Sequence, residues 1–216
     1  MTMQIDESRF FEDGYLILRQ VVPPDQLASL RLTAELRVDR CKARSAARRD
    51  PDGPRGGDWY AGAQPRVNVD EVVDAETADV VDFLLGPTVR GVSAQILGAP
   101  ECTITSMQIL CSGLIDHGHT DWHRDSSASE QAPLRGLQDD LMANRPGYVQ
   151  WNIALYDDDV FWVVPQSHDR PTDEAQRQQL LLDPKAKLNG GIPVELAAGD
   201  GIVYPNVIMH WGSYYS

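Results

Sequence analysis

Cysteine and long apolar runs are scarce in this sequence. The 216 residues include three cysteines, Cys41, Cys102 and Cys111, and none belongs to a Cys-x-x-Cys pair. An odd number without that spacing points neither to a disulfide framework nor to a thiolate zinc site, and we interpret all three as reduced thiols. The longest uninterrupted apolar run, residues 160–164, is far shorter than the about 20 residues of a membrane helix. We therefore expect no membrane span.

Positive charge is also in short supply. The 19 lysines and arginines face 32 aspartates and glutamates, which gives a formal net charge of −13. Such a chain has no field that attracts polyanions, although residues 44–55 form a local basic patch, so we do not expect nucleic acid as a partner. Residues 1–7 lack the positive start and the apolar stretch of a secretory signal, which predicts a cytoplasmic protein. The length and a hydrophobic content of 42% fit one soluble globular domain.

The first hundred residues have mainly helical patterns. Residues 10–18 combine an aromatic pair, an Asp-Gly turn and a β-prone run, which indicates a short helix leading into a strand. Two prolines followed by leucines at near-helical spacing predict a helix over residues 24–47. Residues 50–62 are crowded with Gly, Pro and Asp, and we interpret them as a surface loop and a candidate lid. Two further helices are predicted near residues 75–85 and 88–97.

Beyond Pro100 the sequence changes to alternating β-branched and aromatic residues, which are typical of strands. Short strands separated by Asp and Gly turns suggest a double-sheet roll closed by hairpins. The pattern is interrupted by a polar insertion at residues 128–146 and by a predicted helix at residues 172–182, with Thr172 as its N-cap. The predicted strands are residues 102–111, 122–125, 148–156, 160–164, 193–196, 201–204 and 207–211.

Residues 117–125 hold the densest supply of metal ligands, with three histidines and two aspartates. Residues i and i+2 of a strand share a face about 6.6 Å apart, so a His-x-Asp pair can converge on one ion. Two such pairs are alternatives, His119 with Asp121 and His123 with Asp125. A polar loop without a metal is a third interpretation. His210, at the end of a later predicted strand, can add a distal ligand, and two histidines with one carboxylate leave three positions open, as in non-haem iron(II) oxygenases.

Five motifs follow one another along the chain. They are residues 11–18, Trp122-His123-Arg124-Asp125, residues 151–155, residues 163–168, and Gly199-Asp200 followed by His210. In this order they resemble the N-terminal signature, the Trp-His-x-Asp metal motif, the central strand, the Pro-Gly-Ser-His turn and the distal histidine of the phytanoyl-CoA dioxygenase family. Members of this family are iron(II)- and 2-oxoglutarate-dependent oxygenases, and the resemblance covers nearly the whole chain.

The resemblance implies an α+β fold with a double-stranded β-helix core, that is, a cupin-like jelly roll, and with N-terminal helices packed on one sheet. Residues 1–216 then form a single domain. Its helical front half covers about residues 1–100, and its jelly-roll strands cover about residues 101–216.

The resemblance also selects among the candidate ligands. The tryptophan before the histidine of the family motif matches His123 and not His119, so His123, Asp125 and His210 are the expected iron ligands. His117 and His119 are then loop residues. Because family members that act as halogenases lack the carboxylate, Asp125 argues against that chemistry.

Further site residues are implied by the same resemblance. Gln108 and Trp151 are expected beside 2-oxoglutarate, with the alternatives that Gln108 satisfies a backbone group and that Trp151 belongs to the core. His168 is expected to organise backbone or to border the substrate. Arg135 and Arg145 are candidate anchors for an acidic substrate group, with ordinary solvated loop arginines as the alternative.

The arginine that fixes the distal carboxylate of 2-oxoglutarate in the family is expected beyond Ser216, about ten residues after His210. A chain that continues past Ser216 is the favoured explanation; another basic residue in its place and a weakened use of this cosubstrate are the alternatives. The predicted function is oxidation, by default hydroxylation, of an unactivated C–H bond of a small-molecule substrate with O2, iron(II) and 2-oxoglutarate. A cupin-like non-oxygenase metalloenzyme and a catalytically dead binding protein are the alternatives.

Overall fold

A computed structural model describes residues 3–62, 64–68, 74–75, 77–115, 118–126 and 128–213. The helices in these ranges are α1 Glu7–Asp13, α2 Pro24–Ala47, α3 Asp58–Ala61, α4 Ala78–Leu84, α5 Val89–Leu97, α6 Leu134–Asn144 and α7 Glu174–Leu182. The strands are β1 Leu16–Leu18, β2 Arg66–Asn68, β3 Gln108–Leu110, β4 Gln150–Ile153, β5 Asp158–Val163, β6 Ile192–Leu196, β7 Gly201–Tyr204 and β8 His210–Gly212. Helices and strands are thus mixed, as expected.

The first two elements form the predicted helix-to-strand unit. The side chain of Asp6 accepts hydrogen bonds from the backbone N–H groups of Ser8 and Arg9 and so caps the N-terminus of α1. Gly14 ends α1 with a positive φ of 86°, a conformation that glycine adopts without strain. The chain then enters β1 directly.

Helix α2 has the predicted bounds. Pro24 lies in its first turn, where the missing N–H costs nothing. Its buried side includes Leu30, Ala34, Arg37 and Cys41, which recur at intervals of three and four residues and therefore share one face.

Two three-stranded antiparallel sheets face each other across the main core. Their strand orders are β1-β7-β4 and β6-β5-β8. One apolar cluster combines Ile202 of the first sheet with Phe161, Val163 and Val194 of the second. Strands β2 and β3 form a separate antiparallel pair.

N-terminal helices cover the outer face of the β1-β7-β4 sheet. Phe10 of α1 and Val92 and Ile96 of α5 pack in one cluster with Leu16 and Val203 of this sheet. The opposite face of the β1-β7-β4 sheet packs against β5 and β6 in the main core.

Several predicted boundaries were wrong, because pairing decides where a strand ends. Residues 102–111 pair only over β3, and residues 122–125 contribute a single bridge at His123 instead of a strand. Strand β2 was not predicted. The insertion at residues 128–146 contains α6, which buries Leu141.

The N-cap of α7 is Asp173 and not Thr172. Asp173 accepts from the backbone N–H of Gln176 at 2.8 Å, and the Gln176 side chain reciprocates, which is a capping box. The Thr172 hydroxyl accepts instead from Arg124 at 3.1 Å.

One stretch of the described residues, Ala78–Leu97, is long and apolar enough to cross a membrane by length and composition alone. It is not an uninterrupted apolar run, because it contains Asp79, Asp82 and Arg90. It consists of two helices, α4 and α5, and α5 packs on the β1-β7-β4 sheet. The stretch is therefore weak support for a membrane span.

Candidate metal centre

His123 and His210 are opposite one another in an antiparallel bridge. The N–H of His123 donates to the carbonyl of His210 at 3.0 Å, and the N–H of His210 donates to the carbonyl of His123 at 2.9 Å. Residues that face each other in this way project their side chains to the same side. The two imidazole centroids are accordingly 4.3 Å apart.

Asp125 joins the two histidines from the same segment as His123. Its Oδ1 lies 3.6 Å from Nε2 of His123, and its Oδ2 lies 3.3 Å from Nε2 of His210. The three donor atoms all lie within 4.8 Å of one another, and no other group of three or more His, Cys, Asp or Glu within the described ranges has this spacing. Metal–donor distances of about 2.1 Å put neighbouring octahedral ligands about 3 Å apart, and the separations of 3.3 and 3.6 Å between Asp125 and the two histidines are close to that value.

Backbone carbonyls orient both imidazoles. Nδ1 of His123 lies 2.7 Å from the carbonyl oxygen of Asp121, and Nδ1 of His210 lies 3.1 Å from that of Ile208. Because a carbonyl oxygen only accepts, each Nδ1 carries the proton, and each Nε2 offers its lone pair to the site. Both rings are therefore in the tautomer that a metal ligand needs.

The carboxylate of Asp125 is ionised well below neutral pH. The close contact with the His210 imidazole is the largest cause that lowers its pKa, to about 2, and it outweighs the opposing effect of burial. A hydrogen bond of 2.8 Å from the side-chain amide of Gln150 acts in the same direction. Gln150 was not among the predicted site residues.

The site has one apolar wall and one open side. His210 is 5% exposed, and its ring packs against those of Phe161 and Tyr204, with centroid distances of 5.5 and 5.4 Å. His123 and Asp125 are exposed. Two imidazoles and one carboxylate on one face, with the remaining positions accessible, are the donor set that suits iron(II).

Trp151 lies on the other face of β4. Its indole N–H donates to the hydroxyl of Ser93 on α5 at 3.0 Å, and its ring packs in the helix-facing cluster with Val203, its cross-strand partner. Side chains alternate along a strand, so Gln150, which contacts Asp125, and Trp151 face opposite sides. This position corresponds to the core alternative and argues against a contact with 2-oxoglutarate.

Gln108 lies on β3, which pairs with β2 and belongs to neither of the two three-stranded sheets. Its Oε1 accepts a hydrogen bond from the guanidinium of Arg66 at 3.3 Å, across the β2–β3 pair. Its side-chain partner is therefore Arg66, and the expected role beside the cosubstrate remains a prediction.

The remaining histidines lie outside the cluster. The ring of His119 packs on that of Trp211, 4.7 Å between centroids, and Trp211 adjoins His210 but faces the opposite side of β8. His168 is fully buried, and its Nε2 donates to the carbonyl of Phe11 at 2.9 Å, so it organises backbone as one alternative predicted. His117 lies outside the described residues.

Both candidate substrate arginines already have protein partners. Arg135 donates to the carboxylate of Asp139 and to the carbonyl of Asp169. Arg145 donates to Glu7 at 2.9 Å and to the last carbonyls of α5. These contacts correspond to structural arginines.

Comparison with known proteins gives one family match and several structures of similar fold. A family model described as Phytanoyl-CoA dioxygenase (PhyH) matches residues 10–213. No curated protein sequence gives a significant match. Among solved structures, AviO1 from Streptomyces viridochromogenes Tue57 aligns with a TM-score of 0.63 and 21% identity over 98% of this chain and 92% of its own.

Two further solved structures have the same fold. SnoK, a non-haem alpha-ketoglutarate-dependent carbocyclase from nogalamycin biosynthesis, has a TM-score of 0.61 and 18% identity over 98% of this chain and 78% of its own. HygX from Streptomyces hygroscopicus, with nickel and 2-oxoglutarate bound, has a TM-score of 0.61 and 18% identity over 98% of this chain and 81% of its own. At these identities the likeness concerns the fold.

Proposed function

Since the chain belongs to the phytanoyl-CoA dioxygenase family, we propose that it is a non-haem iron(II)- and 2-oxoglutarate-dependent oxygenase that acts on a small molecule. The reaction is oxidation of an unactivated C–H bond with O2, by default hydroxylation. The observation that carries this proposal is the convergence of His123, Asp125 and His210 within 4.8 Å. Further support comes from structural relatives whose structures contain 2-oxoglutarate with nickel or with Fe3+.

Each of these residues has a distinct part in the proposed site. His123, Asp125 and His210 hold the ion, which when bound supplies the redox centre at which 2-oxoglutarate and O2 react. Gln150 holds the Asp125 carboxylate in place by its hydrogen bond. Phe161 and Tyr204 keep water from the buried side of His210.

We further infer that the two facing three-stranded sheets are the two sheets of a jelly roll, and that the whole chain is one domain. The shared core cluster supports this, because it draws side chains from both sheets. Gln108 remains our proposed contact for the cosubstrate, and the cytoplasm the proposed compartment.

Oxygen and succinate measurements test the proposal. Anaerobic addition of iron(II) and 2-oxoglutarate should give a visible charge-transfer band, and admission of O2 should give succinate. His119→Ala should retain both signals, and His210→Ala should lose both. Absence of the band and of succinate with every small molecule tested would contradict the proposal.

The two alternatives have different signatures. Protein purified with zinc or manganese that consumes no oxygen would favour a cupin-like non-oxygenase metalloenzyme. Calorimetric binding of 2-oxoglutarate without turnover would favour a binding protein.

A further inference from the structure

Arg124 lies between two of the three proposed ligands and turns its side chain away from them. His123 and Asp125 face His210, whereas the guanidinium of Arg124 points away from them and donates three hydrogen bonds to oxygen acceptors, besides a longer one of 4.0 Å to the sulfur of Met209. The acceptors are the carbonyl of Val207 at 2.7 Å, the hydroxyl of Thr172 at 3.1 Å and the carbonyl of Ser167 at 3.2 Å.

All three acceptors are neutral. None of the ion pairs formed by the described residues involves Arg124. A partly buried cation without a carboxylate partner is an expensive means of stabilising a fold, because desolvation is offset only by hydrogen bonds. The positions of its three oxygen acceptors therefore indicate which parts of the chain the cation holds together.

Two of these acceptors belong to residues that hold the backbone leading to His210 in place. Val207 lies in the turn that leads to His210, and the hydroxyl of Ser167 accepts from the N–H of Met209, the residue before it, at 2.8 Å. A second hydrogen bond joins this turn to the segment that carries His123 and Asp125, since the carbonyl of Asn206 accepts from the N–H of Asp125 at 3.0 Å.

We infer that Arg124 is a positioning residue that fixes the distance between the His210 turn and the segment with His123 and Asp125. The inference rests on the proposed metal centre. A guanidinium is suited to this task, because its fixed fork reaches acceptors in three directions, whereas the single nitrogen of lysine cannot span them. Metal affinity should therefore depend on a side chain that never touches the ion.

Metal titration of matched variants tests the inference. Anaerobic calorimetry with iron(II), and separately with nickel(II), compares the parent chain, Arg124→Met, Arg124→Lys and the control Arg177→Met. Arg177 is exposed and pairs locally with Glu174 on α7. We expect an affinity loss of about 10- to 100-fold for Arg124→Met, a smaller loss for Arg124→Lys and no change for the control.

A chemical rescue separates positioning from general stability. Ethylguanidinium should restore much of the metal affinity of Arg124→Ala and should not affect Arg177→Met. Near-UV circular dichroism shows which variants are folded; if Arg124→Met is not, Arg124→Lys decides the outcome. Affinities of folded Arg124 variants equal to that of the parent would overturn this inference alone. A parent chain that binds neither metal would overturn the proposed function and this inference with it.

Discussion

The side-chain amide of Gln150 donates a hydrogen bond of 2.8 Å to Oδ2 of Asp125. Gln150 is thus the direct neighbour, on β4, of a carboxylate that comes from a different segment of the chain. The contact restricts the rotation of the carboxylate, whose other oxygen lies 3.6 Å from Nε2 of His123. A ligand held in this way needs less reorganisation when an ion binds.

Replacing Gln150 by leucine should weaken metal binding while the fold persists. The variant keeps the volume but removes the donor, so we expect an affinity loss of about tenfold. Gln178→Leu, which removes an exposed amide bonded to Glu174 on α7, is the control. Calorimetry with nickel(II) measures the affinity of both variants. Equal affinities of Gln150→Leu and Gln178→Leu would show that the contact with Asp125 does not contribute to metal binding.

Gly14→Ala should destabilise the protein strongly. A Cβ at Gly14 would lie 2.2 Å from Nδ1 of the buried His168, at a φ of +86°. Overpacking and backbone strain together should cost about 3 kcal/mol or more. Gly118→Ala isolates the backbone strain, since the φ of Gly118 is +72° and no atom of the described residues lies within 4 Å of a Cβ placed there. Urea unfolding should show that Gly118→Ala lowers the free energy of unfolding by about 1 kcal/mol. Equal losses for Gly14→Ala and Gly118→Ala would show that the clash with His168 does not contribute.

Asp200 should give the fold a pH-dependent contribution. Burial raises the pKa of Asp200, but hydrogen bonds from Arg19 and from the N–H groups of Gln20 and Ala197 outweigh it, and the net shift is downward. A lowered pKa contributes stability that is present above the unfolded value of about 3.9 and is lost as the pH falls through the folded value.

We therefore expect Asp200→Asn to cost about 2–3 kcal/mol at pH 7, because charged hydrogen bonds are lost. The difference from the parent chain should shrink below about pH 4. Urea unfolding at several pH values measures it. A difference that stays constant down to pH 3 would mean that the charge of Asp200 does not matter.

Trp151→Phe should affect stability and not cosubstrate use. The variant loses the hydrogen bond to Ser93 and some packing against α5, which together should cost about 1–3 kcal/mol. The KM for 2-oxoglutarate should be unchanged. A several-fold rise in KM at unchanged stability would instead put Trp151 in the cosubstrate pocket.

Local signals made parts of the fold predictable. The bounds of α2 followed from Pro24 and the leucine spacing, because both act within one helix. The Trp-His-x-Asp motif likewise pointed, from four adjacent residues, to His123 and Asp125, which the structure brings next to His210. Strand ends depend on partners distant in sequence, so residues 102–111 were overextended relative to β3.

The face of β4 shows what the sequence could have added. Gln150 and Asn152 alternate with Trp151 and Ile153, a polar and an apolar row on opposite sides. This alternation indicates that the polar row faces the site and that Trp151 faces a hydrophobic layer. Which layer covers it is decided by α5, whose position no local pattern specifies.

Anaerobic titration of iron(II) into the parent chain and four single-alanine variants tests the central claim most directly. The parent and His119→Ala should each bind one ion per chain, and His123→Ala, Asp125→Ala and His210→Ala should bind none with comparable affinity. Loss of binding in His119→Ala, or full binding after removal of His210, would contradict the assignment of the metal centre.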